Sequence, residues 1–142
     1  MKYIFLTEQF YKDYEKCPEI EQKRFRPYIM LLVKIDNLTF ALPLRSHIKH
    51  PYAFFTDNEN HCGVDYSKAV IITNESLYID TKRPTLRPNE HKALQGKAFI
   101  ITKEFSRYLN DYKKAVTKNT KRLDYTYKYC TLQYFHNELG IK

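Results

Sequence analysis

The chain has 142 residues, 43% of them hydrophobic, which is enough for one domain with a core of its own. Its 24 Lys and Arg residues outnumber 16 Asp and Glu residues, so the formal net charge is +8 and the isoelectric point is near 9.3. No run approaches the roughly 20 apolar residues that a membrane span needs. The basic charge favours a polyanionic partner such as nucleic acid.

Several enzyme classes and compartments are disfavoured by what the sequence lacks. Three glycines in the whole chain cannot build a glycine-rich phosphate loop, and no GxSxG, HExxH or paired-cysteine zinc motif is present. Kinase, dehydrogenase and zinc-peptidase functions are therefore not expected. The three cysteines are widely spaced, and the first residues turn charged too early for a signal peptide. We expect a cytoplasmic protein with no cofactor and no membrane association.

The N-terminal half reads as strands with one short helix. Lys2–Leu6 is rich in aromatic and β-branched residues and predicts a strand, after which Thr7 can cap a helix. Two apolar runs, 27–35 and 38–44, are separated by Asp36-Asn37. This spacing predicts a β-hairpin.

The segment after the hairpin is harder to read. Pro43 lacks a backbone donor, so the second hairpin strand is expected at a sheet edge or at its own end. Residues 45–62 show no periodicity and predict a long functional loop. Residues 69–73 and 77–80 then predict two short strands around a turn at Asn74-Glu75.

The C-terminal half reads as helices. Asn89 can cap a helix that stops at Gly96, and a second helix with a clear apolar face is expected from Thr102. Residues 124–139 predict a last helix before Gly140. The expected fold class is α+β, with short, mostly antiparallel strands and helices concentrated towards the C-terminus.

The candidate site is the loop that follows the hairpin. It contains two imidazoles, a hydroxyl and two cations, contributed by Arg45, Ser46, His47, Lys49 and His50. Cleavage of RNA by its own 2′-OH needs a base, an acid and donors that stabilise the added charge on phosphorus. Histidine suits proton transfer because its ordinary pKa, about 6.5, lies near neutrality.

Two other interpretations of these histidines stay open. His47 and His50 can be capping or packing residues in an ordinary loop. With His61 and Asp65 they can also form a divalent-metal site, although the HxxH spacing falls on a loop and no carboxylate lies inside the cluster.

Aromatic and basic residues elsewhere are candidates for RNA contact. Tyr28, Tyr52 and Phe54 can stack on unpaired bases near the site, or can belong to the core. Basic residues cluster near the end of the long helix, at Lys113, Lys114, Lys118 and Lys121.

Two runs, RPYIMLLVKIDNLTFALPLRSHIKH and CGVDYSKAVII, resemble the toxins of type III toxin–antitoxin systems, the ToxN/AbiQ-like endoribonucleases, and are closest to the TenpN/CptN branches. The resemblance covers nearly the whole chain and is sharpest across residues 24–50 and 62–73. The shared features are an opening strand, a basic residue before the hairpin, a strand ending in Pro-Leu-x-Ser, and a glycine and Lys68 that lead into an apolar strand. Lys68 joins the expected RNA-binding residues on this basis.

The resemblance implies a fold and a function. The fold is a compact, mostly antiparallel and partly barrel-like sheet with added helices, akin to the MazF, Kid and CcdB toxins. The activity is metal-independent RNA cleavage that leaves 2′,3′-cyclic phosphate and 5′-OH ends. The implied partners are cellular or phage RNA and an inhibitory antitoxin RNA of repeated pseudoknots, which the toxin trims. Protein and RNA often close into a cyclic assembly, and several members act in phage defence.

The family's functional residues carry over only in part. Ser46 matches the serine that the family places beside the scissile phosphate, and Arg26 stands where the family keeps a lysine. Arg45 replaces a threonine of some members and can strengthen phosphate binding. The family's lysine two residues after the serine is Ile48 here, so its role passes to Lys49 or to a histidine, with His47 favoured.

Two further functions stay open. A non-catalytic RNA-binding regulator needs only the basic surface and the tyrosines. A MazF-like ribonuclease would be controlled by a protein antitoxin in place of an RNA.

Overall fold

The structure of this protein, a computed structural model, describes residues 1–20 and 27–141. Its strands are β1 (Tyr3–Ile4), β2 (Met30–Ile35), β3 (Leu38–Arg45), β4 (Ala53–Asp57), β5 (Cys62–Asp65) and β6 (Val70–Ile71). Its α-helices are α1 (Glu8–Asp13), α2 (Glu75–Tyr78), α3 (Pro88–Leu94), α4 (Ala98–Thr117) and α5 (Arg122–Tyr125), with 3₁₀ turns at Tyr66–Lys68 and Thr131–Tyr134. The predicted α+β class is confirmed.

The predicted hairpin is confirmed and forms the centre of the sheet. Strands β2 and β3 pair antiparallel from Ile35 opposite Leu38 to Met30 opposite Pro43. Asp36 and Asn37 between them both have left-handed backbones, with φ of 50° and 66°. Two such residues form the turn whose twist matches that of the flanking strands.

The sheet is antiparallel and open, and it forks along β3. One edge of β3 pairs with β2, whereas the other pairs first with β6 and then with β5. The described strands follow the order β1-β2-β3-β5-β4, with β6 joined to β3 alone. The fork brings the end of β3 beside β5, with Arg45 opposite Gly63.

Of the two expectations for Pro43, the sheet edge is wrong because β3 is a central strand, whereas Pro43 does lie near the strand's end at Arg45. Leu44 donates its N–H to the Ile29 carbonyl, towards β2. Neighbouring residues of a strand point their N–H groups to opposite sides, so an N–H at position 43 would point away from β2. On the side of β3 away from β2, Pro43 lies in the gap between the stretch paired with β6, which ends at Ala41, and the stretch paired with β5, which begins at Leu44. The missing donor therefore costs no ladder hydrogen bond.

The expected long loop over residues 45–62 is also wrong, because most of its second half is β4 and the turn into β5. Asp57 holds that turn by accepting the N–H groups of Glu59 and Asn60. A Cβ on Gly63 would lie 2.2 Å from the Phe54 carbonyl oxygen, so the close pairing of β4 with β5 requires glycine there. The true loop is short and runs from the end of β3 to β4.

Helices are confirmed at α1, α3 and α4, although Arg87 and not Asn89 is the N-cap of α3, and α4 begins at Ala98, before the expected Thr102. The predictions fail in two other places. Residues 77–80 do not form a strand, because Asn74 accepts the Leu77 N–H and caps α2. The last segment is mostly irregular, since it is fixed by side-chain contacts such as the hydrogen bond from Thr131 Oγ1 to the Ser67 carbonyl. Tertiary contacts here outweigh local helix propensity.

The core lies between the sheet and α4. Phe105 of α4 meets Phe40 of β3 with ring centroids 5.0 Å apart, and both side chains are fully buried. On the same helix, Tyr108 packs against Tyr52, which follows the loop after β3. Among the described residues, no helix has the length and apolar character to span a membrane.

Candidate active site

The loop of residues 45–50, called here the β3 loop, presents polar groups on an apolar anchor. Ser46 and His47 are exposed, whereas Ile48 is only 3% exposed and its N–H donates to the His61 carbonyl over 3.0 Å. His47 has a left-handed backbone with φ of 56°, which turns the chain sharply after Ser46. Ser46 and His47 thus follow each other at the end of the central strand, and both side chains are exposed.

A buried carboxylate, Asp65 at the end of β5, joins the two ends of the β3 loop. Its Oδ2 accepts from Arg45 Nη1 at 2.7 Å, and its Oδ1 lies 3.2 Å from His50 Nε2. Ser67 also donates both its hydroxyl and its N–H to Oδ1, at 2.6 and 2.9 Å. Asp65 is completely buried, so these donors stand in for water.

Two opposing effects, burial and hydrogen bonding, determine the pKa of Asp65. Burial acts to raise the pKa, but the hydrogen bonds from His50, Ser67 and Arg45 outweigh burial and hold the pKa below its usual value. Asp65 is therefore an anion at neutral pH. It fixes the Arg45 guanidinium beside Ser46.

The structure gives His50 a supporting position. Its Nδ1 accepts the Tyr52 N–H at 3.0 Å, so the ring proton of the neutral form lies on Nε2, which is 3.0 Å from Ser67 Oγ. Its ring also stacks on the Tyr52 ring, with centroids 5.7 Å apart. Both ring nitrogens thus take part in the support of the β3 loop.

The β3 loop contributes to two grooves. The Ser46 groove has a volume of about 360 Å³ and is lined by Tyr28, Arg45, Ser46, Thr56, Arg87 and Asn89, among others. The histidine groove has a volume of about 660 Å³ and is lined by His47, Lys49, His50, Phe55, Asn58 and His61, among others. The expected cluster therefore lines two grooves, with Arg45 and Ser46 in the first and His47, Lys49 and His50 in the second.

The aromatic candidates differ in their access to the site. Tyr28 lines the Ser46 groove, and its ring centroid lies 5.8 Å from Arg45 Cζ. Tyr52 is sandwiched between His50 and Tyr108, and Phe54 on β4 packs against the core. Tyr28 is therefore the best placed of the three expected residues to stack on a base.

The described basic candidates outside the β3 loop lie in two different places. Lys68 Nζ donates to the carbonyls of Glu19 and Tyr129, which ties two distant segments together. Lys113 and Lys114 lie near the end of α4, and Lys118 and Lys121 follow it. Helical rise puts Lys113 and Lys114 about 8 to 9 Å along the axis beyond Tyr108, which packs against Tyr52. Arg26 lies outside the described residues.

A metal site at His47, His50, His61 and Asp65 would require at least three of these side chains to converge on one point. Within residues 1–20 and 27–141, no three His, Cys, Asp or Glu side chains are arranged to hold a metal ion. Sequence reasoning considered Asp65 only as a metal ligand and missed its partner Ser67. The sequence did contain a signal for this hydrogen-bonded group. Asp65 is the single carboxylate in the run CGVDYSKAVII, and a charge in a buried strand needs hydrogen-bonding or ion-pair partners.

The side chains of the site are of the types that acid–base catalysis beside a fixed cation would use. The β3 loop provides a hydroxyl, an imidazole and an ammonium group within reach of solvent, and Asp65 fixes a guanidinium at its base. A comparison of the chain with protein-family models, with curated proteins and with solved structures finds no match. The resemblance to the ToxN/AbiQ-like toxins therefore stays a prediction.

Proposed function

We propose that this chain is a metal-independent endoribonuclease toxin that cleaves RNA by attack of the substrate's own 2′-OH. The observation that carries the proposal is the exposed pair Ser46–His47 on a loop whose two ends are both bonded to buried Asp65. A pre-positioned set of this kind costs little rearrangement when the transition state forms. The sequence resemblance of residues 24–50 and 62–73 supports the same function.

The polar residues of the β3 loop have distinct roles in this reaction. Ser46 donates a hydrogen bond to a phosphate oxygen, and Arg45 and Lys49 stabilise the negative charge that develops on the phosphoryl group. His47 transfers a proton at the 2′ or 5′ oxygen. His50 and Asp65 act as positioning residues, because their polar atoms are occupied within the protein.

The resemblance extends the proposal to partners and to the finer fold. We infer an antitoxin RNA of repeated pseudoknots that blocks the site and is trimmed by it, and a cyclic protein–RNA assembly. The forked sheet, in which β3 pairs with both β6 and β5, is compatible with a partly barrel-like toxin fold. A tandem-repeat non-coding tract beside the gene would support this partner, whereas a neighbouring gene for a small protein antitoxin would favour MazF-like control.

A second candidate function, RNA binding without cleavage, is favoured by the surface beyond α4. Tyr125 and Tyr129 are 82% and 63% exposed, which is unusual for large aromatic side chains. Lysines and Arg122 surround them in sequence, and such a mixture suits stacking on single-stranded RNA.

Incubation of the purified chain with RNA and with single-stranded DNA of the same sequence separates these functions. The proposal predicts that RNA alone is cleaved, because DNA lacks the attacking hydroxyl. It also predicts that His47→Asn, which suits the left-handed backbone, lowers the cleavage rate about 10²- to 10⁴-fold with little loss of RNA affinity. Binding of RNA with no cleavage by the wild-type chain would establish the second candidate.

A further inference from the structure

We propose that His61 is the second proton-transfer group of this site and acts together with His47 across the histidine groove. The inference rests on the proposed endoribonuclease function and names a catalytic residue that lies outside the β3 loop. His61 is in the turn between β4 and β5, 14 positions after His47, and both residues are exposed and line the same groove.

Direct backbone contact fixes the two histidine-bearing segments relative to each other. The His61 carbonyl accepts the N–H of Ile48, the residue that follows His47, at 3.0 Å. Ile48 is buried, so this hydrogen bond is protected from competing water. The β3 loop and the β4–β5 turn therefore hold one imidazole each beside a shared groove, which also contains Lys49.

The backbone at these histidines is a second, independent observation. In the described part of the chain, five residues other than glycine have positive φ, and three of them are Asp or Asn, which adopt this conformation readily. The other two are His47 and His61, with φ of 56° and 54°. Strained conformations of this kind concentrate at functional sites, and here both carry a side chain that transfers protons near neutral pH.

The third histidine of the groove is not equivalent. His50 accepts the Tyr52 N–H at Nδ1 and contacts Ser67 and Asp65 through Nε2. Among the described residues, no hydrogen bond is found to the ring nitrogens of His47 or His61. The His61 and Phe55 rings form a T-shaped contact with their centroids 6.3 Å apart. His47 and His61 can therefore present a ring nitrogen to a substrate.

The reaction balances with two imidazoles and no added reagent. One neutral imidazole removes the proton from the 2′-OH while O2′ forms its bond to phosphorus. The P–O5′ bond breaks, and the other histidine, as imidazolium, gives its proton to O5′. The products are a 2′,3′-cyclic phosphate and a 5′-OH, and the two histidines have exchanged protonation states.

The test uses the full chain with His61→Asn and His61→Gly. Both replacements suit a left-handed backbone, so the melting temperature is expected to stay unchanged or to rise. Cleavage of an RNA whose cleavage site has been mapped with the wild-type chain is expected to fall about 10²- to 10⁴-fold in each variant. His91→Asn, a change of an exposed histidine on α3, serves as the matched control and is expected to cleave at the wild-type rate.

The same RNA with sulfur in place of the bridging 5′ oxygen identifies the acid, because a thiolate leaves without protonation. This substrate is expected to restore the rate of either the His47→Asn or the His61→Asn variant, and not of both. Undiminished cleavage of normal RNA by His61→Asn, or restoration of both or of neither variant, would overturn the inference while the proposed function stands. A wild-type chain that cleaves no RNA would remove the proposed function itself, and this inference with it.

Discussion

The replacement Asp65→Asn tests whether one buried carboxylate supports the β3 loop. The side chain is completely buried and joins Arg45 at the start of the loop to His50 at its end. Asparagine has nearly the same shape, but it carries no charge and its amide group places a donor where the carboxylate accepts hydrogen bonds. Loss of one member of a buried ion pair costs about 3 to 5 kcal/mol when the remaining charge is unpaired.

The expected loss lies at the lower end of that range. Arg45 keeps 19% of its side chain exposed, so its guanidinium can regain some water once the carboxylate is removed. A loss of about 3 kcal/mol corresponds to a fall in melting temperature of roughly 10 °C for a chain of this size. The matched control Asp124→Asn removes the same charge from an exposed site on α5, and its effect should stay within about 0.5 kcal/mol.

Thermal and urea unfolding at pH 7 measure this effect, and pH supplies an independent check. Because the folded pKa of Asp65 is lowered, its contribution to stability is complete above the unfolded pKa of about 3.9 and is lost as pH falls through the lower folded pKa. The difference between Asp65→Asn and the wild type should therefore shrink as the solution is acidified below about pH 4. Equal stability of Asp65→Asn and Asp124→Asn at pH 7 would refute the reasoning.

Three further predictions concern the sheet, a cysteine and the basic surface. Gly63→Ala should lower the free energy of unfolding by about 2 kcal/mol or more in urea titrations, because the new methyl group meets the Phe54 carbonyl. Cys130 should react with a thiol reagent at pH 8 only after unfolding, unlike the two half-buried cysteines, because burial raises its pKa to about 11. Lys118→Glu and Lys121→Glu should each reduce the salt dependence of RNA affinity by about one unit of slope, without changing the cleavage rate of bound RNA; an unchanged slope would remove these lysines from the RNA-binding surface.

Local features of the fold were predictable from the sequence, because neighbouring residues determine them. Asp36-Asn37 forms a hairpin turn from its own backbone preferences, and Thr7 caps α1 through its own side chain, which accepts the Phe10 N–H at 3.2 Å. The strand prediction after Asn74 failed because the local signal is ambiguous. Asn74 suits a turn and a helix cap equally, and only packing of the following segment selects α2.

Non-local features escaped sequence reasoning. The fork of the sheet at Pro43 depends on which strands lie beside β3, and nothing within a few residues of Pro43 indicates that. The position of the site after β3 was predicted, but its division into two grooves was not. The loop that carries both grooves is shaped by the buried anchor Ile48 and by the left-handed turn at His47, and Ser46 and His47 line different grooves.

The chemical identity of the RNA ends tests the central claim most directly. Wild-type chain is incubated with RNA in excess EDTA, and the new ends are analysed by mass spectrometry. The proposed 2′-OH mechanism predicts cleavage at an undiminished rate, with 2′,3′-cyclic phosphate on one product and 5′-OH on the other. Cleavage that requires added divalent metal, or products with 5′-phosphate and 3′-OH ends, would contradict it.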